Sequence, residues 1–306
     1  MSTPTGLDAR LDGWGLPPLP EPLPRPVIDS HTHADTTTEY TGLDADTSLG
    51  LAHRVGVTRL VQVGCDVEGN QYAVDLARRV PGVVATVSIH PNEAARSADL
   101  LDDQLAQVAE LATSAADVVR GIGETGLDYY RTRDPEGHER QQYSFTRHIE
   151  LAIEHDLTLV IHDRDAHADI LKMLDRVGLP NRIVMHCFSG DADFARECLD
   201  RGAWLSFPGV VTFGSAGPQR EALSITPLDR VLVETDAPFL TPVPARGRKN
   251  APYVLAHTVR YVADHLGVGL EQLCDQVRAN TFAAFNGEWD EIDPAHQQLT
   301  SAGAQR

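Results

Sequence analysis

The strongest constraint on the fold is an alternation of short, apolar, β-branched runs with longer helical patterns. Runs that are apolar along their length are typical of strands buried on both faces of a parallel sheet. The helical patterns between them are the connections that such a sheet needs. The predicted strands are residues 27–29, 59–63, 83–88, 118–122, 157–161, 182–185, 203–206 and 231–234.

The helical patterns complete the repeating unit. They fall at residues 100–115, 139–155, 166–177, 192–200, 219–224, 253–266 and 270–284. Eight strands with their helices in about 250 residues favour an α/β fold of the (β/α)8 TIM-barrel type. A chain of 306 residues also suits two mid-sized domains. An open, doubly wound sheet is the alternative fold, but no GxGxxG turn follows an early strand.

The two ends of the chain differ from this repeating middle. Residues 1–26 are rich in proline and have no apolar period, so we expect a flexible or polyproline-like extension that lies against the body. Residues 288–306 are polar and predict a tail. The predicted organisation is one barrel domain over residues 27–287 between these two segments.

The charge of the chain limits its possible roles. Asp and Glu number 44 against 26 Lys and Arg, which gives a formal net charge of −18. A passive nucleic-acid-binding protein is normally basic, because phosphate neutralisation supplies most of its affinity. The charge argues against a coating role, but not against an enzyme whose bound cations and few arginines make one positive site.

Three further features bear on location. No run of about 18 apolar residues exists to span a membrane, and the N-terminus lacks the pattern of a secretory signal. The cysteines are scattered without a CxxC pair, which predicts a reducing, cytoplasmic environment. We expect no membrane association and no obligate protein partner. The cysteines are Cys65, Cys187, Cys198 and Cys274.

Polar side chains follow most of the predicted strands at the point where each strand ends. Barrel enzymes keep their chemistry at the C-terminal ends of the strands. Of the 13 histidines, about one would fall by chance in the roughly twenty positions that open these loops. Five do so, and their convergence on one rim predicts a functional site: His31, His33, His90, His162 and His186.

Four of these histidines and two carboxylates form a metal-ligand set. His31 and His33 are two residues apart, so both rings point to the same side of an extended segment. Catalytic metal sites combine imidazole with carboxylate and keep a position open for water. Six ligands exceed the need of one tetrahedral ion but suit two divalent ions, about 3.5–4 Å apart, that share a bridging carboxylate. The predicted ligands of these zinc, magnesium or manganese ions are His31, His33, Glu124, His162, His186 and Asp236.

Other polar residues near the strand ends have simpler interpretations. Cys187 follows His186 directly, so we expect its side chain to point away from the site as a small buried residue. Asp163 and Asp165 either support the ligands or cap the following helix. For Asp29 we expect a capping or supporting role rather than direct ligation.

The candidate substrate-binding residues are cationic. Arg164 lies two residues past His162 and would reach a substrate oxygen. The loop after the eighth strand carries Arg246, Arg248 and Lys249, and such a basic segment would clamp a phosphate backbone. A solvated surface loop is the alternative. Aromatic residues near the same rim would stack on bases or pack in the core: Tyr129, Tyr130 and Phe188.

Five segments carry a resemblance to a known family: DSHTH, GETGLDYY, LVIHDRDA, HCFSG and VLVETDAPFLTPVPARGRKN. In this order and spacing they resemble the TatD family of metal-dependent deoxyribonucleases. The resemblance spans residues 27–250, the helical remainder to about 285 fits the same domain, and residues 1–26 lie outside it. It implies a TIM barrel close to the amidohydrolases and a divalent-metal hydrolase. Several members of the family are 3′–5′ exonucleases on DNA.

The resemblance also implies roles for single residues. His90 matches the first histidine of a His-Pro-His element close to the scissile phosphate, and Asn92 replaces the second. Thr125 stands where many members have an aliphatic residue, a change that we expect to be silent. Glu124 would bridge the two ions, and the other ligands divide between them: His31, His33 and Asp236 on one, His162 and His186 on the other.

The sequence therefore predicts a divalent-metal-dependent phosphodiesterase, most simply a 3′–5′ exodeoxyribonuclease that acts on single-stranded DNA or 3′ ends. Asp236 is the candidate general base for a water activated by two metals. Glu124 and His90 complete the catalytic set, and Arg164 assists. The alternatives are hydrolysis of another ester or amide bond, such as an aminoacyl ester or a small phosphodiester, on the same barrel, and a non-catalytic metal-binding scaffold.

Overall fold

A computed structural model describes residues 6–293 of the chain. Eight parallel strands form one sheet in the order β1 to β8, and each strand pairs with the next one along the chain. All eight predicted strands are present, which confirms the barrel prediction. Their bounds are β1 Val27–Thr32, β2 Val57–Val63, β3 Val83–Val87, β4 Val119–Asp128, β5 Thr158–Arg164, β6 Ile183–Met185, β7 Trp204–Phe207 and β8 Val231–Val233.

Helices fill the connections between the strands. Four of them begin at an aspartate whose side chain accepts a backbone N–H of the first turn, which uses part of the acidic excess. The helices are α1 Gly6–Gly13, α2 Ala34–Thr41, α3 Ala45–Arg54, α4 Val67–Arg79, α5 Pro91–Arg96, α6 Leu101–Ser114, α7 Pro135–Glu154, α8 His167–Val177, α9 Ala192–Asp200, α10 Gly217–Ile225, α11 Leu255–Leu266 and α12 Leu270–Ala284.

The first and last strands meet and close the barrel. Ser30 Oγ donates a hydrogen bond to Val233 O at 3.0 Å, and the backbone N–H of Asp236 donates to His31 O at 3.0 Å. The interior is a valine-rich cluster from six strands with the end of α12, while a larger apolar cluster lies between the strands and the helices. The C-terminal ends of β1 and β8 are therefore held side by side. Within residues 6–293, no helix is long and apolar enough to cross a membrane.

The N-terminal segment is ordered against the barrel from residue 6 onward. Leu11 and Leu16 are fully buried in the main apolar cluster, and Leu23 is nearly so. Tyr253 Oη donates to Pro17 O at 2.5 Å. The segment does lie against the body, but α1 is a helix that the proline-rich sequence did not predict. Apolar burial at three leucines stabilises it there, at roughly 1.5–3 kcal/mol for each fully buried side chain. Residues 1–5 lie outside the described residues.

The start of the predicted polar tail also packs on the barrel. Ile292 is fully buried, and its N–H donates to Thr58 O at 2.9 Å. Arg59 Nη1 lies 2.9 Å from Glu291 Oε1. Gly82, at φ +90°, faces the backbone of Ile292 so closely that a Cβ would collide with its nitrogen. Residues 288–293 thus close the N-terminal end of the barrel, and residues 294–306 lie outside the described part of the chain.

Candidate metal centre

The predicted metal ligands meet in or directly beneath one cavity at the C-terminal ends of the strands. The cavity has a volume of about 720 Å³ and an opening toward solvent on the rim. Five of the six predicted metal ligands line it, and His31 lies beneath them with 1% of its surface exposed. The lining also includes His90 and Arg164. The prediction of a convergent rim site therefore corresponds to one physical cavity.

The strand register brings Glu124 against His162. β4 and β5 pair in parallel with Gly126 opposite His162, and the register shifts between Ile122 and Thr125, the stretch that contains Glu124. Gly126 has φ +138°, and a Cβ at this position would collide with the carbonyl oxygen of His162. Glycine is therefore required where the two backbones approach most closely.

The carboxylate of Glu124 lies between two groups of histidines. Its Oε2 is 3.4 Å from His31 Nε2 and 3.8 Å from His33 Nε2. Its Oε1 is 2.5 Å from His162 Nδ1 and 3.1 Å from His186 Nε2. His90 Nε2 lies 3.5 Å from Oε1 as well, so each carboxylate oxygen faces a different group of imidazoles.

Asp236 completes the group around Oε2. Its Oδ1 lies 3.5 Å from His33 Nε2 and 4.0 Å from His31 Nε2. The two imidazole nitrogens are 3.3 Å apart. Asp236 is placed by the closure of the barrel, since its N–H donates to His31 O. One carboxylate oxygen and two nitrogens therefore converge on one point.

The electrostatics of the site favour positive charge. Burial opposes ionisation of Glu124, but His186 and His90 lower the pKa of this carboxyl well below its usual range. Burial likewise opposes protonation of His162, yet Asp128 and Glu124 raise the pKa of its ring to about 9. Glu124 therefore remains ionised, and its negative charge favours compensating positive charge in the cavity.

Two carboxylates behind the histidines were not assigned roles from the sequence. Glu234 is fully buried, and its Oε1 lies 2.8 Å from His186 Nδ1. Asp128 Oδ2 lies 3.4 Å from His162 Nε2 and accepts a hydrogen bond from Asn92 Nδ2. Carboxylates on the far nitrogen of a ligating histidine fix its tautomer and orientation. For Glu234, the available sequence signal was its position two residues before Asp236. No sequence signal indicated a role for Asp128.

Two cysteines lie at the site. Cys65, after β2, has its Sγ 3.8 Å from Glu124 Oε2 and 3.9 Å from His33 Nδ1. Cys187 is half-buried and lines the cavity, with its backbone at φ +46°. The expectation that Cys187 points away from the site is therefore wrong, because the left-handed turn after β6 breaks the strand alternation on which that expectation rested.

The remaining aspartates have local roles. Asp29 is fully buried and accepts hydrogen bonds from both the N–H and the hydroxyl of Thr235. Asp163 accepts from Ala166 N at 3.2 Å and lies 2.6 Å from His167 Nδ1, at the start of α8. Asp165 is exposed. These contacts fasten β1 to β8 and hold the loop that follows β5.

The four predicted substrate-binding cations occupy two places. Arg164 lines the metal cavity and stacks over the ring of Tyr130, 3.9 Å from its centroid. Arg246, Arg248 and Lys249 line a neighbouring cavity of about 440 Å³ instead. The structure therefore separates Arg164 from the basic loop.

The donor set fits divalent metal ions. Among residues 6–293, five groups of three residues have one ligand atom per residue within 4.8 Å of one another. Two of them include Cys65 or Cys187, and three consist of histidine and carboxylate alone: His31, His33 and Asp236; His31, Glu124 and His186; His90, Glu124 and His162. Imidazole nitrogen and carboxylate oxygen are the ligands that zinc and similar ions accept together. Buried carboxylates such as Glu124 need compensating positive charge, which a bound metal ion would supply.

Fold and site together define the class: a (β/α)8 barrel with a histidine- and carboxylate-lined metal centre at its C-terminal rim, as in metal-dependent hydrolases. The family model described as "TatD related DNase" matches residues 28–286. The chain belongs to the TatD family of metal-dependent hydrolases. The N-terminal segment before residue 28 lies outside the matched region.

Individual relatives agree with this assignment. The chain is 37% identical over 269 residues to the uncharacterized metal-dependent hydrolase TatD of Mycobacterium tuberculosis, covering 86% of this chain and 99% of the relative. It is 38% identical over 261 residues to the uncharacterized metal-dependent hydrolase YcfH of Escherichia coli K12, covering 84% and 94%.

Solved structures share the fold. YjjV, a TatD homologue from Escherichia coli K12, superposes with a TM-score of 0.78 at 27% identity, covering 86% of this chain and 98% of that chain. A TatD-family hydrolase from Entamoeba histolytica gives a TM-score of 0.75 at 18% identity, covering 87% and 100%. The second likeness is one of fold alone.

Proposed function

We propose that the chain hydrolyses phosphodiester bonds as a 3′–5′ exodeoxyribonuclease on single-stranded DNA or 3′ ends, with two divalent ions. The observation that carries the proposal is the position of Glu124, whose two carboxylate oxygens face separate groups of imidazoles: His31 and His33 at Oε2, and His90, His162 and His186 at Oε1. A carboxylate shared between two ligand groups is the arrangement that a two-ion centre for phosphoryl displacement requires. The membership of the chain in a family described as related to DNases supports DNA as the substrate.

The ligands divide on geometry. Glu124 Oε2 belongs with His31, His33 and Asp236, and Glu124 Oε1 belongs with His162 and His186. When bound, zinc, magnesium or manganese ions supply Lewis acidity toward a phosphoryl oxygen and lower the pKa of a water.

Asp236 is the proposed general base. Both carboxylates line the cavity, but the Asp236 side chain is 14% exposed against 5% for Glu124, so Asp236 is the more accessible of the two to a water. Burial opposes ionisation of Asp236, but the contacts with His33 and His186 lower the pKa of this carboxyl below its ordinary value, so the carboxylate is ionised and would accept the proton at an Oδ atom.

His90 is the proposed hydrogen-bond donor to the substrate. Its Nδ1 accepts the N–H of Asn92 at 3.1 Å, which places the proton of the neutral ring on Nε2. Burial lowers the pKa of His90, which favours this neutral form. Nε2 lies 3.5 Å from Glu124 Oε1, on the cavity side, where it would donate to a phosphoryl or leaving oxygen. Arg164, half-buried on the same wall, would bind a phosphate oxygen.

The test is digestion of 5′-labelled single-stranded DNA with magnesium, manganese or zinc, against an EDTA control. A metal-dependent ladder that shortens from the 3′ end is expected. Asp236→Asn should lose about 10²–10⁴-fold in rate, while Asp193→Asn, at a side chain 91% exposed on α9, should keep the wild-type rate. An absence of cleavage with every ion, or full turnover by Asp236→Asn, would contradict the proposal. Esters and amides would then be tested on the same site.

A further inference from the structure

A second cavity of about 440 Å³ adjoins the metal cavity on the rim. Phe239 and Leu240 line both cavities, so the two cavities are neighbours that share this part of their walls. The outer cavity is also lined by Tyr40, Phe213 and the basic loop that carries Arg246. We call it the aromatic groove.

The groove exposes two large aromatic side chains. Tyr40 is 56% exposed and Phe239 is 48% exposed, with ring centroids 6.2 Å apart and planes tilted by 52°. Both lie close in sequence to proposed metal ligands. Tyr40 is on α2, which begins directly after His33, and the N–H of Phe239 donates to Asp236 O at 2.9 Å. The aromatic faces are thus held at a fixed position relative to the metal centre.

The charge of the groove is positive, on a chain with a net charge of −18. Arg248 pairs with Asp12 at 2.5 Å, and Lys249 Nζ donates to Tyr40 O at 2.5 Å. Arg246 is exposed and stacks over Phe213, 4.4 Å from the ring centroid. Among residues 6–293, no carboxylate lies within 4.0 Å of its guanidinium. Arg246 is therefore the cation that is available to an anionic ligand.

We infer that the aromatic groove binds the single strand next to the nucleotide being removed, with a base stacked on Phe239 beside Tyr40 and a phosphate near Arg246. Exposed aromatic rings within a cationic groove are the recognition pattern for single-stranded nucleic acid, because each base offers a π-face and each linkage offers a charge. A duplex hides its base faces by stacking and leaves the rings unpartnered. The inference rests on the proposed phosphodiesterase function and adds the residues that would hold the strand outside the metal cavity.

Turnover provides the first test. The substrates are a 12-residue oligothymidylate and bis(4-nitrophenyl) phosphate, a diester too small to reach from the metal cavity into the groove. We expect the ratio of the two kcat/KM values to fall about tenfold in Phe239→Ala and in Tyr40→Ala. Tyr143→Ala removes a tyrosine of similar exposure, 47%, from α7, and should keep the wild-type ratio. An unchanged ratio in both groove variants overturns the inference.

Tryptophan fluorescence provides a test that does not depend on turnover. Phe239→Trp keeps a stacking ring and should show quenching on titration with oligothymidylate, above the signal of wild-type protein with its three tryptophans. A blunt duplex of the same length should not quench it. Absence of quenching, or equal quenching by duplex, contradicts the inference. If wild-type protein cleaves neither substrate, the proposed function fails, while quenching still reports whether the groove binds a strand.

Discussion

Glu234 Oε1 lies 2.8 Å from His186 Nδ1, on the side of the ring opposite to Glu124. The same carboxylate oxygen accepts the N–H of Cys187 at 2.9 Å. Because Glu234 is fully buried, its charge is compensated by His186 and by this backbone N–H. A carboxylate in this position holds the imidazole with Nε2 toward the cavity and increases its basicity as a ligand.

Glu234→Gln should therefore weaken metal binding while leaving the barrel folded. The amide oxygen still accepts the N–H of Cys187, but the negative charge beside His186 is lost. We expect zinc affinity to fall by about 10–100-fold, measured by competition with a chromophoric chelator. Glu197→Gln, at a side chain 57% exposed on α9, is the matched control. Equal zinc affinity in wild type and Glu234→Gln would show that this contact does not tune the centre.

Glu124→Gln tests whether one carboxylate holds two ions together. The two oxygens of Glu124 face different groups of imidazoles, so a neutral amide weakens both groups at once. Metal content after dialysis should fall from about two ions per chain to about one or fewer, as measured by plasma mass spectrometry. Circular dichroism checks that the barrel is intact. Retention of the full metal content by a folded variant would exclude the bridging role.

The sequence predicted the strands and the ligand set for the same physical reason. A strand buried on both faces must be apolar, so a polar residue at its end stands out, as His162 does after 157–161. Two helices that were not predicted from the sequence contain residues of low helix propensity: α2 has four threonines in eight residues, and α4 has glycine and asparagine in its first turn. These helices are stabilised by packing on the barrel.

The supporting residues were harder to predict than the ligands. The role of Asp128 depends on β4 extending to that residue and pairing with β5, so that Asp128 meets His162. The position of the Cys187 side chain depends on a backbone turn at φ +46°, which no sequence pattern predicted. The pairing of Arg248 with Asp12 depends on a helix formed within the proline-rich segment. Each of these contacts is set by tertiary structure rather than by local sequence.

Arg246→Ala should change the salt dependence of DNA hydrolysis. If Arg246 contacts one phosphate of a single strand, the slope of log KM against log salt should decrease by about 0.7. KM for a 12-residue oligothymidylate, measured across a series of potassium chloride concentrations, gives the slope. Arg196→Ala removes an arginine that is 57% exposed on α9 and should leave the slope unaltered. Equal slopes in wild type and Arg246→Ala would place Arg246 outside the strand path.

His148, on α7, supports the loop that carries His90. Its Nε2 accepts the N–H of Ile89 at 3.0 Å, and Nδ1 lies 2.7 Å from Ser144 O, so the ring is neutral with its proton on Nδ1. Burial lowers the pKa of His148 from 6.5 to about 4. Protonation would place a second proton on Nε2, against the Ile89 N–H, inside a fully buried pocket.

The pH dependence of folding follows from this contact. Because the pKa of His148 is lower in the folded chain than in the unfolded one, the unfolded chain binds more protons between pH 6.5 and 4. The stabilising contribution of the neutral His148 ring is complete above pH 6.5 and is lost as the pH falls toward 4. The loss in the free energy of unfolding is at most about 3 kcal/mol. In His148→Gln the amide oxygen still offers an acceptor to the Ile89 N–H but does not titrate. The free energy of unfolding of this variant should therefore decrease less across this pH range than that of the wild type. Urea unfolding of both proteins in EDTA, at steps from pH 7 to 4, measures the difference free of metal release. If the free energies of unfolding of the two proteins fall in parallel with pH, protonation of His148 does not destabilise the folded chain.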